Sequence, residues 1–357
     1  MYLTTNNIVP YLLQKGIMSR SELLHTDWFV SQTDSRKPVL RVVSVDQCGW
    51  IVKQPSIRDR HQISLLDREA AIFQLANNMS WARCLKNLMP RFRFYDPGIH
   101  ALIVEYLPHD TGLIHLRRVL TQPRAMGGRL GRALASVHIA KHKCSSSGDF
   151  LSERLPWVFQ IDSAQSSEMR SIPEEQVVKI IQNDHQLVSA LVRLRREWRY
   201  ETLIHGDAKL DNVIVRSGNR LRVWFVDWAF SGIGDPAWDV GTILHSCLLL
   251  WLQGVPFKRE QSLSDGLRKA TLALTIVQTF AREFLSAYRR VRMLRGNLAA
   301  AFSRRMSMFA GAALVQSAVA AARVQKVMTQ RQLAAIQMGS NIICDPDTNL
   351  RELLCDE

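Results

Sequence analysis

Two short turns at a fixed separation constrain this chain more than any other feature. The first lies in "LIHGDAKLDNVIV" (203–215), between two apolar strand-like runs, and gathers His205, Asp207, Lys209, Asp211 and Asn212. The second, "WFVDWAFSGIGDPAWD", places Asp227 twenty residues beyond Asp207, at the end of an apolar run. A lone Asp or Asn in a turn is ordinarily a capping residue. The joint spacing points to chemistry instead. In H-x-D-x-x-x-x-N the Asp can orient a hydroxyl and take its proton, while the Asn, five residues on, reaches back to a metal. A second oxygen ligand from a neighbouring strand would complete a divalent site, and Asp227 has the right type and position.

The rest of the chain supplies a setting for these turns. Residues 28–53 read as three strands, "DWFVSQTD", "VLRVVSV" and "GWIVKQP", separated by turn residues. "SLLDREAAIFQLANNM" then repeats apolar residues at helical spacing, with Leu65, Leu66, Ala70, Phe73 and Leu75 broadly on one side. "RFRFYDPGIHALIVEYLPHD" reads as two more strands around a Pro-Gly turn. From about Leu113 the pattern is helical, apart from the strands near 203–228. "KHKCSSSGDF" (141–150) is expected to be a surface loop, because its Ser and Gly bury little apolar area.

Bulk properties narrow the function classes. The six cysteines are scattered without a CxxC pair, which argues against a disulfide framework or a zinc site and fits a reducing cytoplasm. The N-terminus lacks a signal-peptide pattern, and the longest apolar stretches fall short of the ~20 residues that cross a bilayer, so no membrane partner is expected. The formal net charge is +14. Between Pro236 and Ile343 there are fourteen Lys or Arg against four acidic residues, about +10 by subtraction. Such an excess is either a solvated helical face or a surface for an anionic partner. Nucleic acid is disfavoured, since the arginines are not interleaved with aromatics in any DNA- or RNA-reading motif.

The motifs "HGDAKLDN" (205–212) and "VDWAFSGIGDPAWDVG" (226–241) resemble those of the aminoglycoside phosphotransferase and choline kinase group. That resemblance implies an α+β, bilobal protein-kinase-like fold, with a small N-terminal antiparallel β-sheet lobe carrying a helix and a larger, mainly helical C-terminal lobe. It divides the chain into an N-terminal helical extension (1–27), a nucleotide-binding N-lobe (28–108) and a C-lobe (109–357) with the catalytic loop, metal ligands and acceptor-binding helices. It implies ATP and Mg2+ as cofactors, Asp207 as catalytic base, and Asn212 and Asp227 as magnesium ligands. Lys209 matches a lysine that touches the transferred phosphate in protein kinases. Asp239 would hold the catalytic loop, and His205 would support it. In the N-terminal half, Lys53 matches the phosphate-holding lysine and Glu69 its helix partner, sixteen residues on. "LIVEYLP" resembles the hinge, where Glu105, Tyr106 and Leu107 would meet adenine.

Departures from the group accompany these matches. The turn "QTDSRKP" (32–38) has no glycine, leaving Ser35, Arg36 or backbone N–H groups to meet the phosphates. Trp228 and Ala229 follow Asp227 where protein kinases have Phe-Gly, which implies activity without activation-loop control. The basic C-terminal half disfavours a polycationic acceptor such as an aminoglycoside. A branch sharing "LPWV" (155–158) is similar to phosphotransferases found with ribosomally made peptide natural products. There the acceptor would be Ser or Thr of a precursor peptide with an acidic leader, and a partner lyase would eliminate the phosphate. A neutral or anionic small metabolite is the other acceptor class. A catalytically inactive scaffold, binding an anionic peptide or nucleic acid through its basic helices, is the non-enzymatic alternative.

Overall fold

The computed structural model describes residues 1–33, 39–108, 120–139, 155–163, 171–216, 221–257, 269–325 and 327–354. The glycine-free turn residues 34–38, with Ser35 and Arg36, lie outside them, as does the 141–150 loop segment.

Residues 1–110 and 214–231 contribute to one compact unit. Its centre is a five-stranded antiparallel sheet of β1 (Trp28–Gln32), β2 (Val39–Ser44), β3 (Gly49–Lys53), β4 (Phe92–Asp96) and β5 (Ala101–Glu105). The spatial order is β1-β2-β3-β5-β4. Alternation along the strands decides which face each residue serves. Leu40 and Val42 of β2, Val52 of β3, and Ala101 and Ile103 of β5 are buried on one face. There they pack against α1 (Ile8–Gln14) through Ile8, Tyr11 and Leu12, and against Leu3, Ile17 and Met18. A capping box between Ser19 and Glu22 starts α2 (Arg20–His25). The N-terminal stretch thus covers the sheet. Ile51, Lys53 and Val104 instead line a cavity. The helix α3 (Arg60–Asn78) begins at Asp59, whose side chain accepts the Gln62 N–H at 3.0 Å.

Four short strands come later in sequence: β6 (Thr202–Ile204), β7 (Val213–Arg216), β8 (Arg222–Phe225) and β9 (Gly232–Gly234). β7 pairs with β8, and β6 pairs antiparallel with β9.

The second unit is helical, built around 111–139, 152–213 and 232–357. Among the described residues its α-helices are α4 (Pro123–Ile139), α5 (Ile172–Asn183), α6 (His185–Arg196), α7 (Pro236–Gln253), α8 (Leu274–Val291), α9 (Gly296–Ala322), α10 (Gln330–Cys344) and α11 (Pro346–Leu354). In α8 the buried residues Val277, Phe280, Ala281, Phe284, Leu285 and Tyr288 recur every three or four positions, which forms a helix with one apolar stripe. That stripe meets α4 at Gly127 and Gly131. A Cβ on Gly127 would lie 2.5 Å from the Phe280 carbonyl oxygen, and one on Gly131 would collide with the Phe284 carbonyl. The two backbones therefore lie in direct contact. Trp198, Trp238, Phe159 and Phe309 form a second core, with ring centroids 5.4 to 6.1 Å apart. Among the described residues no helix is long and apolar enough to cross a membrane.

Candidate active site

In the sheet-bearing unit, the end of β3 directs Lys53 at two carboxylates. Its Nζ donates to Glu69 Oε1 and Oε2 at 2.7 and 2.9 Å, and to Asp227 Oδ1 at 3.2 Å. Glu69 comes from the middle of α3, is 3% exposed, and also accepts the Trp228 N–H at 3.3 Å. Burial pulls the Lys53 ammonium down, but Glu69 and Asp227 outweigh it and raise its pKa above the ordinary lysine value. The ammonium is held charged. Burial pushes the Glu69 carboxyl up, and Lys53 opposes that shift.

Asp227 follows β8 and has φ +64°, in the left-handed region. This backbone turn presents its side chain to the cavity that Lys53 and Glu69 also line. The cavity encloses about 760 Å³, within the range of small-molecule sites. Glu105, Tyr106 and Leu107 line it too. The N–H groups of Glu105 and Tyr106 are engaged in the sheet, donating to Arg91 and Gly49 carbonyls at 2.9 Å each. The guanidinium of Arg41 sits 4.4 Å from the centre of the Tyr106 ring.

In the helical unit, the loop after β6 is held by Asp239, the acidic residue in the first turn of α7. Asp239 is fully buried, and its carboxylate accepts the N–H groups of His205 at 2.7 Å and Gly206 at 2.9 Å. Gly206 has φ +79°, where a side chain would be strained, and its carbonyl accepts Trp238 Nε1 at 3.0 Å. The buried His205 ring accepts the Asp207 N–H through Nδ1 at 3.3 Å. With both flanks fixed, the Asp207 side chain is set. Asn212 donates from Nδ2 to the Asp207 carbonyl and to its Oδ2, both at 2.9 Å. Lys209 Nζ donates to the same Oδ2 at 2.8 Å. Ser246 supports the loop from α7 by accepting the Leu210 N–H at 3.1 Å.

Sequence reasoning passed over the residues behind Asp239. His138, at the end of α4, is fully buried, with Nε2 3.0 Å from Asp239 Oδ2 and Nδ1 2.7 Å from the Tyr288 hydroxyl. Burial raises the Tyr288 phenol above its ordinary pKa, so it stays protonated and able to donate. The available signal was a polar ring among Leu134, Ala135 and Val137, since a buried imidazole requires partners. Arg292 and Thr202 both donate to the His138 carbonyl, which satisfies the end of α4.

Asn212 in the helical unit and Asp227 in the sheet-bearing unit each carry the oxygen type that a magnesium ion takes. Asn212 spends its amide N–H on Asp207, so the amide oxygen is the atom it has for a cation. Asp227 offers a carboxylate 34% exposed at the cavity wall. Among the described residues no three His, Cys, Asp or Glu cluster as a protein-only metal cage. Magnesium takes one or two protein oxygens and fills its shell with phosphate and water.

A family model described as a phosphotransferase enzyme family matches residues 29–293. Among solved structures, an ethanolamine kinase from Plasmodium vivax is similar with a TM-score of 0.59 at 14% identity, over 98% of this chain and 90% of that one. A choline kinase from Cryptosporidium parvum Iowa II is similar at 0.56 and 12%, over 98% and 99%. An ADP-bound aminoglycoside phosphotransferase is similar at 0.52 and 13%, over 94% and 98%. At these identities the likeness establishes the protein-kinase-like fold. No curated protein matches the chain.

Proposed function

The chain belongs to the phosphotransferase enzyme family, and from that premise we propose that it transfers the γ-phosphate of ATP to a hydroxyl group of a neutral or anionic acceptor. The observation that carries the reading is Lys53, held charged between Glu69 and Asp227 on the wall of a nucleotide-sized cavity. Lys53 binds the α and β phosphates, and Glu69 fixes its direction. The apolar wall that includes Val104 and Leu107 takes the adenine ring. Asp227 and Asn212 would hold Mg2+, which would neutralise phosphate charge.

Asp207 orients the acceptor hydroxyl and accepts its proton as the oxygen bonds to the γ-phosphorus. The bond from that phosphorus to the bridging oxygen breaks, and ADP leaves. Lys209 Nζ lies 2.8 Å from Asp207 Oδ2, where its positive charge favours an acceptor without cationic groups. Two acceptor classes suit that charge: a small metabolite hydroxyl, and Ser or Thr of a precursor peptide with an acidic leader.

The test incubates the protein with ATP and magnesium against a panel of metabolites, aminoglycosides and acidic-leader peptides, read by mass for an added phosphate. A magnesium-dependent increment on a neutral or anionic member supports the reading. Phosphorylation confined to polycationic members would overturn the acceptor class, and ATP left unbound and unturned throughout would overturn the function.

A further inference from the structure

The cavity that carries Lys53 is partly walled by a residue from the far end of the sequence. Tyr2 lines it together with Lys53, Gln54 and Thr33. The main chain on both sides of Tyr2 is tied to Gln54, the residue after Lys53. Gln54 Oε1 accepts the Leu3 N–H at 2.7 Å, and its Nε2 donates to the carbonyls of Met1 at 3.2 Å and Ile99 at 2.8 Å. Leu3 is 3% exposed and belongs to the core behind the sheet. These contacts fix the main chain at Tyr2, yet the residue remains 45% exposed. Its hydroxyl has no hydrogen-bond partner among the described residues.

An unspent O–H donor on a cavity wall that a charged lysine also lines suits an anionic ligand oxygen. We propose that Tyr2 is a nucleotide-contacting residue whose phenol donates to a phosphate oxygen held by Lys53, an inference that rests on reading this cavity as the nucleotide site. Gln54 is its positioning residue.

The experiment titrates ADP and adenosine calorimetrically into the full chain and its variants. Tyr2→Phe is expected to weaken ADP about tenfold and leave adenosine unchanged, as loss of one hydrogen bond to a charged group implies. Gln54→Ala is expected to weaken ADP as well, and to add nothing when combined with Tyr2→Ala, because both act through one contact. Equal weakening of ADP and adenosine by Tyr2→Phe would overturn the phosphate contact. Unchanged ADP affinity in Tyr2→Ala, beside a loss in Lys53→Met, would overturn this inference alone. Wild-type ADP affinity in Lys53→Met would remove both this inference and the nucleotide reading beneath it.

Discussion

Asn212 grips Asp207 twice, from one amide nitrogen to the backbone carbonyl and to the carboxylate, at 2.9 Å each. The carboxylate therefore has one orientation before any acceptor arrives. Asp207→Asn preserves shape and an acceptor oxygen for Asn212, but it cannot take a proton. Turnover is expected to fall at least ~100-fold with nucleotide affinity retained, as measured by phosphate transfer and calorimetry side by side. Unaltered turnover would remove Asp207 from the base role.

Asp227 needs a substitution that respects its backbone. At φ +64° an alanine is strained, whereas asparagine visits the left-handed region readily. Asp227→Asn should leave the fold intact while removing a charged ligand, so the difference in ADP affinity with and without magnesium should shrink at least about tenfold. Titrations in magnesium and in a chelator provide the check, and an undiminished difference would displace Asp227 from the metal.

Tyr288→Phe deletes the hydroxyl that meets His138 Nδ1 and leaves a buried ring nitrogen without that partner. The expected loss is about 1 to 3 kcal/mol of stability, seen as a lower denaturant midpoint at unchanged slope. Because His138 also contacts Asp239, turnover should fall with it. An unshifted midpoint would show that this hydroxyl is dispensable.

His245 gives a pH signature. Burial, with the Lys209 charge adding to it and a bond to the Thr242 carbonyl opposing, pushes its imidazole from 6.5 down to about 4. The folded state keeps the ring neutral, with Nε2 2.6 Å from Ser317 Oγ. Below 6.5 the unfolded chain binds a proton that the folded chain refuses, so this contribution is complete above 6.5 and is lost as pH falls toward 4. About 3 kcal/mol should disappear across that window. Denaturant unfolding of the wild type and His245→Asn at several pH values tests this, since the variant should lack that part of the decline.

Legibility in the sequence followed the range of the interactions. The strands of "VLRVVSV" and "GWIVK" show themselves because alternation is a local property, and Lys53 and Glu69 stand out because strand-to-helix order is local too. His138 was missed because its partners lie 101 and 150 residues away. The basic C-terminal half was harder still. Arg305 is counted there as surface charge, yet it is 5% exposed and paired with Asp235 at 2.7 Å. Arg292 bonds Glu201 at 2.9 Å, and Arg323 bonds Glu174 at 2.6 Å. Part of the apparent anion-attracting field is thus neutralised within the chain, and formal charge could not reveal which arginines were committed.

The glycine seam between α4 and α8 has a consequence for anyone diversifying this protein. Positions 127 and 131 tolerate nothing beyond hydrogen, and the same two helices carry His138 and Tyr288. Libraries seeking new acceptor preferences should leave that seam untouched and vary exposed positions elsewhere, because a single methyl group there would pry apart the helices that hold the imidazole and the phenol together.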